Sequence, residues 1–220
     1  MKKVLAIILS LVVVLGMAGC GEDKEAIQLE AAKEAYKEIT EAANLTNSGL
    51  ADIYSAWDWG INGNVKDYYE LAEFDAEDEG EDYLVTAMAG LIRRELPYIG
   101  LEEWNEFTEG LKELGWTGKE FADEWSNCVH FVVYMYEKLG LIDELDSHLD
   151  SASATIKDLD PSSAYYNDLI DYLAVVKKRA EFIKSPSGNL NQLSSTISEF
   201  KEELTESQAK LDIYLGNEED

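Results

Sequence analysis

Apolar or small residues recur along this chain at alternating intervals of three and four, and that rhythm decides what it can fold into. The first run is Leu29, Ala32, Tyr36, Ile39, Ala43, Thr46, Leu50, Ile53, Trp57 and Gly60, without a break. Such steps keep one stripe on one side of a helix, as in the seam between helices packed in a left-handed bundle. Asn47-Ser48-Gly49 reads as a stop signal lying across the stripe. Because the register survives it, one long helix is expected over about 23–61, with Asp23 as N-cap and room for a bend near Gly49.

A second stripe runs through Phe121, Trp125, Cys128, Val132, Met135, Leu139, Ile142, Leu145, Leu149, Ala152, Ile156 and Leu159. Thr117 and Glu120 fit a capping box in front of it. Its one irregular step, Ile142 to Leu145, follows Gly140, so a bend is expected inside a helix over about 118–159, the longest of the chain. Asp160-Pro161 offers an N-cap and a first-turn proline for a helix over about 161–184, striped by Tyr165, Leu169, Tyr172, Val176, Ala180 and Ile183. After the turn Ser185-Pro186-Ser187-Gly188, Asn189 and Gln192 form a variant capping box for the last helix. Its stripe is Leu190, Leu193, Ile197, Phe200, Leu204, Ser207, Leu211 and Tyr214.

Four long amphipathic segments, short turns between the last three and no convincing strand predict an all-α fold, an antiparallel four-helix bundle. Residues 62–116 break the rhythm, with a turn at Asn62-Gly63-Asn64, short apolar helices and an acidic run from Glu73 to Asp82. They are expected to form a smaller helical insertion on one end or side of the bundle, and irregular regions of this kind favour binding residues.

The chain begins with Lys2 and Lys3, continues with the apolar stretch Val4 to Leu15, and reaches Met17-Ala18-Gly19-Cys20. This resembles the signal peptide and lipobox of bacterial lipoproteins, although Met17 stands where leucine is usual. The resemblance implies removal of residues 1–19, diacylglycerol on the Cys20 thiol, and a chain tethered to the outer face of the plasma membrane. As a transmembrane helix, Val4 to Gly19 would span roughly 24 Å, short of the ~30 Å hydrocarbon core. An ordinary secretory signal would look similar but does not call for the cysteine. Two acyl chains anchor stably where one is marginal.

Residues 20–220 then form a single domain of sufficient length for a sizeable core. The whole chain carries 45 acidic residues against 18 Lys and Arg, a net charge of −27. A surface this negative repels phosphate backbones and anionic headgroups, which excludes nucleic acid and leaves the lipid on Cys20 as the route to the membrane. Cations, basic peptides and basic proteins remain compatible partners. With Cys20 lipidated, Cys128 is the only thiol left and no intramolecular disulfide can form.

No catalytic constellation assembles from the sequence. Cys128 and His130 are two apart on one helix and face away from each other, and Cys128 falls in a core stripe. His130 and His148, read on one continuous helix, would sit roughly 27 Å apart, too far for a shared metal. Asp75, Glu77, Glu79 and Gly80 match four positions of a calcium-binding loop. The bidentate glutamate expected at its twelfth position is Thr86, so a solvated acidic loop is the default and calcium the weaker reading. Lys177-Lys178-Arg179 reads as a basic face paired with neighbouring carboxylates. Trp57, Trp59, Trp104 and Trp116 are the candidate ligand-binding residues, as stacking or hot-spot aromatics, with fastening of the insertion as the alternative use. No cofactor is implied. The expected function is a non-enzymatic helical interaction module with a protein or peptide ligand. The alternative is a small-molecule or cation binder using the aromatic and acidic insertion.

Overall fold

The structure, a computed structural model, describes residues 21–61 and 125–215. Cys20, the insertion expected at 62–116, and with it Trp104, Trp116, Asp75, Glu77 and Glu79, lie outside these residues. The described residues form an all-α structure of five helices: α1 (Gly21–Ile61), α2 (Trp125–Lys138), α3 (Leu141–Lys157), α4 (Tyr166–Lys184) and α5 (Leu190–Leu215).

Helix α1 runs unbroken through Asn47-Ser48-Gly49, and its stripe is buried from Ala32 to Trp57 except for half-buried Tyr36. The expected stop signal serves close packing instead. Gly49 is buried under Ile183, and a Cβ added there would meet Ile183 Cδ1 at 2.8 Å. Thr46, also in the stripe, satisfies its buried hydroxyl by donating to the Ala43 carbonyl oxygen at 2.8 Å.

Three expectations need correction. The helix predicted over 118–159 is two helices among the described residues, leaving α1 as the longest. Gly140 adopts φ 73°, a left-handed conformation that ends α2 and lets α3 start afresh with a full break in place of a bend. Helix α4 starts at Tyr166, not at Pro161. The Asp160 carboxylate turns back on Ser162, accepting its backbone N–H at 2.9 Å and its hydroxyl at 2.7 Å through Oδ1, so it shapes a tight turn and does not cap the helix. At the end of α5, Tyr214 is 48% exposed and Leu215 occupies the core position. The box at the start of α5 forms as expected: Asn189 N–H donates to Gln192 Oε1 at 2.9 Å and Gln192 N–H to Asn189 Oδ1 at 3.1 Å.

Side-chain pairs fix the helix directions. Gln28 meets Asp160, Glu38 meets His148 and Asp52 meets Tyr136, so α1 runs opposite to α3 and α2. Lys178 bonds Glu203 and Phe182 packs edge-on against Phe200, so α4 and α5 also run in opposite directions. Tyr36 lies against Tyr172 and Asn47 against Arg179, which makes α1 and α4 parallel. The core divides in two. One cluster gathers Ala32, Ala35, Ala42 and Ala43 of α1 with Leu145, Leu149, Leu169 and Tyr172 among others. The other gathers Leu50, Ile53 and Trp57 with Phe131, Met135, Tyr136 and Phe200. Thr46, buried, falls between them along α1, and buried Arg179 reaches the adjoining Asn47 from α4.

Candidate functional site

A concavity with partly polar walls lies where α1 begins, α3 meets α4 and α5 ends. It is a cleft of about 560 Å3 lined by Lys24, Glu25 and Gln28 of α1, the Asp160–Tyr165 turn and Tyr214 of α5. That volume falls in the range of small-molecule sites. Its turn is held rather than loose: Gln28 Oε1 accepts the Asp160 N–H at 2.6 Å, and Gln28 Nε2 donates to the Asp158 carbonyl oxygen at 3.3 Å. One amide therefore clamps the α3–α4 connection to α1 at two points, satisfying a carbonyl just past the end of α3 and the Asp160 N–H of the turn.

Electrostatics in the cleft are set by side chains. The Asp160 carboxyl is held below the usual carboxylate range, first by the Ser162 backbone N–H, then by its hydroxyl, with Lys24 adding a smaller pull. The Tyr165 phenol is pushed up chiefly by burial, with Glu25 and Asp160 contributing negative charge. The aromatic ring of Tyr165 thus sits in a local field that favours cations.

A second cavity, about 70 Å3, lies between α1, the α2–α3 junction and α4, bordered by Leu45, Asp52, Tyr136 and Ile183. It has room for little more than water. The Tyr136 hydroxyl donates to Asp52 across its edge.

Of the sequence-predicted residues, Trp57 is 2% exposed and belongs to the core around Phe131 and Met135, while Trp59 is placed on α1 at its last turn. Cys128 is buried, and burial pushes its thiol up to about 11, which leaves it unreactive at neutral pH. His130 and His148 lie on different helices; His130 is exposed, and His148 Nδ1 sits 2.7 Å from the Glu38 carboxylate. Among the described residues no three of His, Cys, Asp and Glu gather as a metal-binding group. No described helix is long and apolar enough to cross a membrane.

Lys177-Lys178-Arg179 divides. Lys178 bonds Glu203 at 2.9 Å as expected, but Arg179 is 1% exposed, inside the protein, with no ion pair to a carboxylate among the described residues. It donates one bond to Asn47, while Nε and Nη1 have no partner, and burial drives its pKa down to about 10, against a smaller opposing pull from Tyr172. The signal was available: Arg179 follows Tyr172 by seven and Val176 by three, on the buried side of α4. The cleft itself was missed, because it joins residues from three separate stretches and the polar ones sit outside every stripe. Comparison with protein-family models, with curated proteins and with solved structures finds no match for this chain.

Proposed function

We propose that this chain is a bacterial surface lipoprotein, anchored through Cys20 to the outer face of the plasma membrane, whose helices form a non-enzymatic interaction module for a protein or peptide. In this reading α1, α4 and α5 are three legs of an antiparallel four-helix bundle, and α2 with α3 is the broken fourth. The contacts of α1 with α2, α3, α4 and α5, together with the paired directions above, support that arrangement.

The observation that carries the reading is the join between Met17-Ala18-Gly19-Cys20 and α1. The described residues are helical from their first, Gly21, which follows Cys20 in sequence, and α1 continues for 41 residues. At about 1.5 Å per residue the far end of α1 lies roughly 60 Å from the anchor. A rigid helix leaving the anchor directly holds its own far end, where Trp59 lies on the last turn, away from the bilayer and within reach of an external partner. Most large apolar side chains of the described residues are buried in helix packing, which suits a scaffold.

The test is Cys20→Ala in the full chain. Lipid labelling and membrane retention are expected to disappear together; retention that persists after extraction at high salt sinks the anchor. For the partner, photo-crosslinking residues placed at 59, 104 and 116 in living cells are expected to give discrete protein adducts, and their absence at all three positions overturns the protein-ligand reading.

A further inference from the structure

We infer that the cleft between the start of α1, the α3–α4 turn and Tyr214 is a binding site for a small organic ammonium compound. This goes beyond the anchored-scaffold reading and does not depend on it.

Charge, walls and construction point the same way. Two helix starts, those of α1 and α4, and two helix ends, those of α3 and α5, meet at the cleft. Their end charges oppose one another, so the macrodipoles largely cancel. The side chains then set the sign: Glu25 and Asp160 against Lys24. In a chain of net charge −27, an anion has little reason to settle here. Asp160 Oδ1 accepts both bonds from Ser162, and the carboxylate's negative charge remains to attract an ammonium group, quaternary or protonated.

Aromatic walls distinguish an organic cation from a metal ion. Tyr165 and Tyr214 line the same cleft, one half-buried and one 48% exposed. Tyrosine faces attract alkylammonium groups while also covering their methyl or methylene surface. A bare sodium or calcium ion gains nothing from that surface and asks for several convergent oxygens. The Gln28 clamp keeps the Asp160 turn in place without a ligand, so little ordering is required on binding. The same headgroup chemistry occurs in free choline or ethanolamine and in zwitterionic lipids, and the site lies only eight residues of α1 beyond Cys20.

The test uses the full chain in a maltoside detergent, which carries no ammonium group, titrated with choline chloride against sodium chloride at equal ionic strength by calorimetry. Choline is expected to bind saturably where sodium does not. Asp160→Asn and Tyr214→Leu, both exposed positions, should each weaken binding by about threefold or more. Asp143→Asn, an exposed acid at the far end of α3, should leave it unchanged. A signal that sodium reproduces, that all three variants share, or that a neutral sugar elicits instead overturns the site. Repeating the titration after reconstitution separates the sources. In phosphatidylcholine vesicles, weaker choline binding than in phosphatidylglycerol vesicles assigns the lipid headgroup, and equal binding assigns the free compound. Absence of choline binding in detergent and in phosphatidylglycerol vesicles alike overturns the inference, whether or not Cys20 is lipidated.

Discussion

Before Thr46, the fully buried residues of α1 are Ala32, Ala35, Ala42 and Ala43 with Ile39 as the one large side chain among them, and half-buried Tyr36 packs on Tyr172; after it they include Leu50, Ile53 and Trp57, against Phe131, Met135, Tyr136 and Phe200. The hydrophobic period is the same in both halves, yet the volumes are not. Alanine stripes let helix axes approach toward the short end of the usual spacing, and aromatic contacts hold them apart. One continuous helix can therefore carry two packing regimes, and the change falls at Thr46, where Arg179 and Gly49 also sit. Period alone specifies which side of α1 is covered; side-chain size specifies how closely.

The two halves should fail in opposite ways. Trp57→Ala removes the largest fully buried side chain and is expected to cost about 3–5 kcal/mol. Ala35→Leu, in the other half, adds volume at a position with no exposed surface and should cost about 1–3 kcal/mol. Urea denaturation with unchanged slope reads both. If Ala35→Leu proves neutral, the alanine half has free space and the contrast between the two cores is lost.

The boundary between the halves gives a prediction of opposite sign. Arg179 carries a charge into the core with one hydrogen bond to Asn47 and, among the described residues, no carboxylate partner. Its desolvation is thus poorly compensated. Arg179→Met keeps the length of the side chain and removes the charge, and should raise stability by about 1–2 kcal/mol, at the low end of what apolar replacement of buried ions achieves. Arg179→Ala, which also opens a cavity, should not. The rise is measured as a shift in melting temperature; a fall on Arg179→Met would show that the guanidinium is held by more than Asn47.

These contrasts also show what could be read from the chain. The stripes of α1, α4 and α5 are legible because burial on one side of a helix imposes a period on the sequence, and Asn189 with Gln192 is legible because a capping box is local. Gly140 and Asp160 were misread for one physical reason. Each is a residue with two local uses, a bend or a break for the glycine, a cap or a turn for the aspartate. The choice was settled by a left-handed backbone at Gly140 and by Gln28, 132 positions away, at Asp160. The cleft was illegible because its residues share neither a stripe nor a segment. Arg179 is an intermediate case, its position correct for burial and its chemistry against it.

Gly49 offers the smallest and sharpest probe of the boundary. Alanine at a helix interior is favoured over glycine by about 1 kcal/mol, so Gly49→Ala should stabilise α1 if space allowed. Space does not allow it freely: the new Cβ would meet Ile183 Cδ1 at 2.8 Å and both γ carbons at 3.3 Å. The Cδ1 methyl is the movable end of the side chain, but Ile183 is 2% exposed and its surroundings are packed. The two effects nearly cancel, and the single variant is expected to lie between no change and a loss of about 1 kcal/mol. Ile183→Val removes the clashing methyl at a cost of about 0.5–1.5 kcal/mol on its own. The double variant should then recover the helix propensity that the single one could not, with a coupling of at least about 0.5 kcal/mol in its favour. Strict additivity would mean that Ile183 already moves aside, and that Gly49 marks the change of packing regime without enforcing it.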